Sequence, residues 1–245
     1  MKAEDLTLLN ARSQTLHPSA IIDLALELFP SQLAFANSFG LEDVVIQHLL
    51  QKKKGAPESF VLDTGRLPAE TYDLIERWRQ RYGTTIRLIS PKPELLEPFV
   101  RKNGPNAFYQ NPDLRQTCCA IRKLEPLERA LEGKAAWITG VRREQSAGRA
   151  NATFFSLDHK NRVKISPLAD WTLDAVWAYV RAHDLPYNVL HDAGYPSIGC
   201  APCTRAVLPS EDIRAGRWWW EQESQRECGL HHKPKEVKVH AHPSV

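Results

Sequence analysis

Five cysteines in this chain of 245 residues have types and spacing that could do chemistry. Four form two pairs, Cys118-Cys119 and Cys200-x-x-Cys203, and Cys228 stands alone. A Cys-x-x-Cys spacing lets two thiolates converge on one metal centre, or form a redox pair. Two such pairs can complete a zinc site or hold an iron–sulfur cluster. The spacing alone does not choose between these metals, and it leaves a redox or packing role open.

The adjacent pair Cys118-Cys119 is the less usual of the two. The backbone between neighbours is too tight for an easy mutual disulfide. On a helix, neighbouring side chains point about 100° apart, which is awkward for one zinc ion. The odd number of cysteines and the lack of an apolar export signal in "MKAEDLTLLN" argue against a disulfide framework. Metal binding is therefore favoured for the pairs.

Cys228 lies in a polar segment, "RECGLHHKPK", with Arg226, His231 and Lys233 close in sequence. Positive neighbours favour the thiolate, which is the nucleophilic form of cysteine. The alternative is a tail cysteine without a role. A lone thiol among polar residues is not typical of a core position, so the pattern favours a reactive cysteine.

Two loops have the composition of anion-binding turns. "SFGLEDVV" begins at Ser38 and contains Gly40, and the N–H groups of a following helix could face a phosphate. "GVRREQSAGR" supplies Arg142, Arg143 and Arg149, whose forked guanidiniums match phosphate or sulfate oxygens. The alternatives are an ordinary strand-to-helix turn and a solvated basic loop.

The elements that must position these residues alternate between strand and helix. Apolar runs predict strands over 33–38, 59–65, 84–90 and 135–141, and helical periodicity predicts helices over 19–29, 41–51, 68–83, 119–133 and 172–184. This order predicts an α/β fold with a parallel sheet covered by helices on both faces. Ligands of such sheets bind at the carboxyl ends of the strands, here 38–40, 63–66 and 140–143.

Composition narrows the function classes. The chain is 42% hydrophobic and 25% charged, with a formal net charge of +3, which is ordinary for a globular protein. This mild positive charge suits a small anionic ligand and is weak evidence for nucleic acid. The sequence has no run of about 18 apolar residues, so it predicts no membrane span and a cytoplasmic protein.

Seven stretches, in order, resemble the assimilatory adenylyl-sulfate (APS) reductase family. They are "SFGLEDVV", "LDTGRLPAET", "CCAIRKLEPL", "GVRREQS", "SIGCAPCTRAV", "RAGRWWWE" and "ECGLH". The resemblance implies a fold like that of the adenine-nucleotide α-hydrolases (PP-loop type). It implies reduction of APS to sulfite and AMP, with thioredoxin (or glutaredoxin) as electron donor. Members with both cysteine pairs hold one 4Fe-4S cluster.

The resemblance also assigns roles to individual residues. It makes Cys228 the nucleophile and makes ligands of the cluster out of Cys118, Cys119, Cys200 and Cys203. It implies substrate contacts by Ser38, Gly40, Leu62, Gly65, Lys123, Arg143, Arg214, Arg217 and His231. The expected reaction passes through a Cys228 S-sulfonate and needs no zinc, flavin or nicotinamide.

The predicted organisation is a nucleotide-binding α/β domain over 1–208 that carries the cluster. A C-terminal helix and mobile tail over 209–245 would carry Cys228. The nearest alternative is a phosphoadenylyl-sulfate (PAPS) reductase with the same chemistry. An alternative of another class is a zinc-stabilised nucleic-acid or protein-binding module built on the four paired cysteines. The sequence leaves the oligomeric state open, with a homo-oligomer among the options.

Overall fold

Helices and strands alternate along the chain in the computed structural model, which describes residues 2–221. The α-helices are α1 Ala3–Ser13, α2 Pro18–Leu28, α3 Leu41–Gln51, α4 Ala69–Tyr82, α5 Pro93–Asn103, α6 Pro112–Cys119, α7 Glu125–Ala130 and α8 Leu173–Ala182. The strands are β1 Leu33–Ala36, β2 Glu58–Leu62, β3 Ile86–Ile89, β4 Ala136–Ile138, β5 Phe155–Leu157 and β6 Val163–Ile165.

The six strands form one sheet in the order β3-β2-β1-β4-β6-β5. All neighbours are parallel except β5, which pairs antiparallel with β6 at one edge. The four strands predicted from apolar runs are β1 to β4, and the predicted α/β class with a parallel sheet is confirmed. The strand order reverses at β1: β2 and β3 extend the sheet on one side of it, and β4, β6 and β5 extend it on the other. A crevice therefore forms between the carboxyl ends of β1 and β4.

Both faces of the sheet are covered by apolar packing, as the strand sequences require. Successive strand residues point to opposite faces. On one face, Phe35 and Ile138 belong to the large core that includes residues of α2, α3, α4 and α8. On the other face, Phe60 and Trp137 pack with Leu127 of α7. This rigid two-sided support holds the loops at the strand ends in place.

The adjacent cysteines lie where a helix changes its winding. The predicted helix over 119–133 begins earlier, at Pro112, with Asn111 as its cap: the Leu114 N–H donates to Asn111 Oδ1 at 2.8 Å. After Cys119, the turn Ala120–Leu124 is a π-helix, and α7 then carries Pro126 in its first turn. A π turn widens the helix, and such turns often mark functional sites.

Three features were not predicted from the sequence: α1, α5 and the β5–β6 hairpin. The hairpin strands are three residues each and alternate apolar with polar, "FSL" and "VKI". Helix α1 covers the outer edge of β5 through Asn10, whose side chain donates to the Phe155 carbonyl at 2.8 Å and accepts from the Phe155 N–H at 2.9 Å. A side-chain amide therefore completes the hydrogen bonding that an edge strand lacks.

Beyond the Cys200–Cys203 motif the described chain runs in turns. An isolated antiparallel bridge joins Thr204 to Arg217, and no helix begins between Thr204 and Glu221. The predicted roles of Cys228 and His231, and most of the predicted C-terminal segment, lie outside the described residues. Within residues 2–221, none of the helices combines the length and apolar character that crossing a membrane would need.

Candidate active site

A cavity of about 230 Å³ lies at the carboxyl ends of β1, β2 and β4. Its position is the one where a parallel sheet binds its ligand. The polar and glycine residues in its wall include Ser38, Gly40, Thr64, Lys123, Thr139, Gly140, Arg142, Arg149, His191, Arg214 and Arg217. The predicted contact Leu62 also lines it. The cavity therefore combines an apolar floor with several cations, which suits a nucleotide that carries anionic groups.

The turn after β1 is shaped by Asp43 of α3. Its Oδ2 accepts hydrogen bonds from the Ser38 N–H and the Ser38 hydroxyl, both at 2.7 Å. The Gly40 N–H in turn donates to Ser38 Oγ at 3.2 Å. Burial raises the pKa of Asp43 to about 6, against the opposing effect of the Ser38 hydrogen bonds. A buried carboxylate thus fixes the loop that precedes α3, the helix whose N–H groups were predicted to face a phosphate.

Gly140 at the end of β4 is required by the closeness of this carboxylate. A Cβ at position 140 would lie against Asp43 Oδ1 and only 2.9 Å from Glu42 Cβ. The end of β4 can therefore approach the start of α3 this closely only because residue 140 has no side chain.

The two arginines that directly follow β4, Arg142 and Arg143, already have partners within the protein. Arg142 is 1% exposed, and its Nε lies 2.8 Å from Glu42 Oε1. Arg143 donates from Nε to the Ala152 carbonyl at 2.8 Å, and its guanidinium lies over the Phe154 ring. Arg143 is not among the residues that line the cavity, whereas Arg142 is. The predicted contact between Arg143 and substrate stays a prediction.

Arg217 has a different environment. It is 7% exposed, and its Nη1 donates to Ser197 Oγ and the Ile198 carbonyl at 3.3 Å. Within residues 2–221 it forms no ion pair, and its Nε has no hydrogen-bond partner. Gly199 makes room for it, because a Cβ there would collide with the guanidinium. Arg217 is therefore a buried cation in the cavity wall whose charge no described carboxylate neutralises.

A second cavity of about 20 Å³ lies beside the first and gathers the four paired cysteines. Cys118, Cys119, Cys200 and Cys203 all line it, and all four are free thiols. The last three are buried and pack with Phe108 and Trp218. The wall also includes the cations Arg66, Arg115, Arg122 and Lys123. The structure thus brings together two cysteine pairs that are about 80 positions apart in sequence.

Burial makes these thiols poor anions unless something compensates their charge. Desolvation raises the pKa of Cys203 to about 12, with a further contribution from Cys200 and opposing contributions from Lys123 and Arg217. The pKa of Cys118 is also raised, chiefly by burial, while Arg122 opposes the shift. Metal ligation requires thiolates. The positive charge of a bound metal and of the flanking arginine and lysine side chains stabilises thiolates that burial alone would disfavour.

Within residues 2–221, no group of three or more histidine, cysteine or acidic side chains is placed to hold a metal ion. The paired thiols surround a common space rather than one point. A cluster of four irons takes one thiolate on each iron, so its ligands need not converge as the ligands of a single zinc do. Four free thiols around one shared cavity, three of them buried, fit the donor set of such a cluster.

Lys123 is the predicted residue that joins the two sites. It lies in the π turn and lines both the larger cavity and the cysteine cavity. Gly65 is not itself in the larger cavity's wall, but its neighbour Thr64 is. Arg214 also lines the larger cavity, and its predicted contact with substrate stays a prediction. The structure therefore brings most of the predicted contacts to one place.

Three residues around the thiols were missed by the sequence interpretation. Thr64 approaches Cys200 Sγ with its hydroxyl at 3.2 Å, and its carbonyl accepts from Arg122 Nη1 at 2.6 Å. Arg122 and Arg115 also hydrogen-bond Cys118 and Cys119 respectively. A signal existed, because Arg115 precedes Cys119 by four residues and Arg122 follows Cys118 by four. Residues four apart share one face of a helix.

Comparison with known proteins agrees with the family that the sequence motifs resemble. The family described as phosphoadenosine phosphosulfate reductase domain matches residues 32–206. The chain is 48% identical over 217 residues to the adenosine 5'-phosphosulfate reductase of Allochromatium vinosum, covering 87% of this chain and 84% of that protein. It is 50% identical over 201 residues to the enzyme of that name from Burkholderia cepacia, covering 82% and 80%.

Among solved structures, the fold is similar to that of phosphoadenylyl-sulfate (PAPS) reductase from Candida auris in its phosphate complex. The TM-score is 0.73 at 30% sequence identity, and the match covers 84% of this chain and 98% of the other. Both the sequence and the fold are therefore similar to proteins named for reducing sulfate activated on a nucleotide.

Proposed function

This chain belongs to the phosphoadenosine phosphosulfate reductase domain family, and we propose that it reduces adenylyl sulfate to sulfite and AMP in sulfate assimilation. The relatives named adenosine 5'-phosphosulfate reductase support this substrate. One structural observation carries the proposal: the cavity at the strand ends adjoins the cavity of the paired cysteines, and Lys123 lines both. The two sets of motifs thus serve a single site.

The larger cavity is the proposed place of the nucleotide. Its apolar wall, including Leu62 and Phe60, suits the adenine ring, and the turn at Ser38 and Gly40 leads into the N-terminus of α3, whose first N–H groups suit a phosphate. On the far side Arg217 and Arg214 present positive charge to the phosphate and sulfate. Gly65 and Arg143 lie next to the residues that line this cavity, and His231 remains a predicted contact.

The proposed chemistry begins with Cys228. Its thiolate attacks the sulfate sulfur of APS, the bond to the phosphate oxygen breaks, and AMP leaves with that electron pair. The product is a Cys228 S-sulfonate. An anionic nucleophile must approach two anionic groups, so the cations Lys123, Arg214 and Arg217 stabilise the charge that builds up in the transition state.

The second half-reaction supplies the electrons. A thiolate of reduced thioredoxin, or glutaredoxin, attacks the Cys228 sulfur and releases sulfite. The second cysteine of the donor then resolves the mixed disulfide. The donor is oxidised by two electrons in this sequence, and Cys228 returns to its starting thiol state.

The four paired cysteines are the proposed ligands of one 4Fe-4S cluster. The donor set fits, because four free thiols line one cavity with Arg115, Arg122 and Lys123 around them. When bound, the cluster supplies structural support and an electrostatic environment near the substrate, since thioredoxin brings both electrons. Lys123 would hold its charge between the thiolates and the cavity that binds the nucleotide.

The direct test measures sulfite formation from APS and from PAPS with reduced thioredoxin. The proposal expects a clear preference for APS. The fold similarity to a PAPS reductase makes the reverse preference the second candidate, and that result would overturn the substrate assignment. A Cys228→Ser variant should form no sulfite while it still binds AMP, and continued turnover would remove Cys228 from its proposed role.

Metal analysis tests the cofactor separately. Protein purified without oxygen should be brown and should contain about four iron and four sulfide per chain. A colourless protein with one zinc would contradict the cluster and favour the zinc-stabilised module. Replacing Cys203 by Ser should remove most of the iron, whereas Cys228→Ser should keep it.

A further inference from the structure

The last described residue before the Cys228 segment is held by a buried ion pair. Glu221 is 2% exposed in its side chain and Arg115 of α6 is 1% exposed. Arg115 Nε donates to Glu221 Oε1 at 2.9 Å, and Nη2 donates to Oε2 at 2.8 Å. A bidentate ion pair of this kind fixes the orientation of the two side chains as well as the distance between them. The rest of the described C-terminal chain runs in turns, and this ion pair attaches its end to α6, the helix that carries Cys118 and Cys119.

The same guanidinium reaches two other parts of the site. Arg115 hydrogen-bonds the side chain of Cys119, one of the proposed cluster ligands. Its guanidinium carbon lies 4.9 Å from the centre of the Trp218 ring, and that of Arg217 lies 4.7 Å from the same centre. Arg115 thus contacts the thiol site, the start of the C-terminal segment and the tryptophan that supports the cavity cation.

None of the proposed reaction steps uses the ion pair between Arg115 and Glu221. A buried ion pair adds little net stability compared with apolar residues of the same volume, so its presence points to a specific geometric need. Cys228 lies seven residues beyond Glu221. Glu221 is therefore the described residue nearest in sequence to the proposed nucleophile.

We propose that Arg115 is a positioning residue: by holding Glu221 beside Cys119, it fixes the starting point of the segment that delivers Cys228 to the substrate. The inference rests on the proposed function and adds a residue to it. It joins thiol-site integrity to nucleophile placement, because one side chain contacts both. Nucleotide binding is left to the larger cavity, to which Arg115 contributes no wall.

The test uses Glu221→Ala, which leaves α6 and its cysteines untouched. Misplacing a reacting group slows chemistry strongly, so S-sulfonate formation on Cys228 in a single turnover with APS should slow on the order of 10- to 100-fold. Iron and sulfide content and the Kd of AMP should stay within about two-fold of wild type, because neither depends on Glu221. Glu221→Gln, which keeps the shape and one acceptor, should recover part of the rate.

A matched control is Glu76→Ala. Glu76 makes the same two-pronged pair with Arg79, at 2.8 and 2.6 Å, but on the exposed surface of α4. It should change none of these quantities. If Glu221→Ala does not fold, Arg115→Lys keeps the charge and loses the fork, and it should show the same slow chemistry with normal AMP binding.

Two results would overturn the inference. One is an unchanged rate of sulfonate formation, and the other is a rate that falls only in proportion to lost iron or weakened AMP binding. If wild-type protein forms no sulfonate, the proposed function fails. The rate of trypsin cleavage after Arg226 then tests, independently of that function, whether Arg115 anchors Glu221. Faster cleavage in Glu221→Ala than in wild type supports the anchor, and equal rates contradict it.

Discussion

Arg142 and Arg217 are both buried guanidiniums in the wall of the same cavity, and they differ in what faces their charge. Arg142 lies against the Glu42 carboxylate at 2.8 Å. Arg217 has neutral oxygens at 3.3 Å and, among the described residues, no carboxylate. A buried cation without a counter-ion is costly unless a ligand neutralises it. The difference separates an arginine that holds the fold from one that is available to an anionic substrate.

The adjacent carboxylates Glu42 and Asp43 of α3 show the same contrast for negative charge: one has a counter-ion and the other does not. Glu42 faces the cation of Arg142, whereas Asp43 accepts from the N–H and hydroxyl of Ser38. Burial without a cation raises the pKa of Asp43 to about 6. Two adjacent acids therefore do different work. One pairs β4 to α3, and the other shapes the turn that faces the ligand.

Breaking the ion pair of Arg142 should have a large effect, and the effect should be on stability. Glu42→Gln leaves the buried Arg142 charge without its near partner, so the free energy of unfolding should fall by about 3 kcal/mol, the lower end for a broken buried pair. Urea denaturation measures it. Glu76→Gln, on the exposed pair with Arg79, serves as control and should change nothing measurable. An unfolding curve for Glu42→Gln that matches wild type would contradict the contrast.

Removing the unpaired arginine should instead affect turnover. Arg217→Gln should lower kcat/KM for APS by about 10²- to 10³-fold, the usual cost of losing one charge-stabilising donor. Its unfolding free energy should not fall, because no ion pair is broken among the described residues. Steady-state kinetics and urea denaturation of the same sample check both halves. Destabilised protein with normal kinetics would reverse the assignment of the two arginines.

The unpaired carboxylate predicts a pH dependence of stability. Because the folded pKa of Asp43 is about 6 and its ordinary value is 3.8, the folded state holds this proton more tightly. That contribution is full below 3.8 and is lost as pH rises through about 6. Compared with Asp43→Asn, wild type should lose about 3 kcal/mol of unfolding free energy across this window. A difference between the two proteins that stays constant with pH would show that Asp43 titrates normally.

The smallest predicted effect tests whether the position of the Arg217 guanidinium matters in addition to its charge. Gly199→Ala places a Cβ where the guanidinium lies, so the arginine must shift without losing its charge. We expect kcat/KM for APS to fall on the order of ten-fold, less than for Arg217→Gln. The double variant should be no worse than Arg217→Gln alone, because the first change acts through the second residue. Additive losses would mean that Gly199 acts elsewhere.

The sequence predicted the central part of the fold because its signals are local and strong. Strands β1 to β4 are apolar runs, and the helices α2, α3, α4 and α8 have clear apolar periodicity. The β5–β6 hairpin was missed because three-residue strands give too short a pattern. Helix α1 was missed because its packing depends on Asn10 meeting a strand edge 145 residues away, which no local signal contains.

The candidate site was predicted in its residue types and less well in its geometry. Apart from Gly65 and Arg143, the motif residues predicted as contacts and described by the structure line the larger cavity. The arginine-rich loop after β4 was predicted to bind an anion, yet the structure gives Arg142 and Arg143 partners within the protein. Sequence shows how many charges a loop carries, but only tertiary structure shows which of them are already neutralised.

The most direct test of the account mixes anaerobic protein with APS and no thioredoxin, and then analyses the intact chain by mass spectrometry. We expect one sulfonate group per chain, located on Cys228, together with release of one AMP, and we expect neither in Cys228→Ser. Adding reduced thioredoxin should then release sulfite and restore the thiol. AMP release without a sulfonate, or a sulfonate on another cysteine, would contradict the division between four cysteines that hold a cofactor and one that reacts.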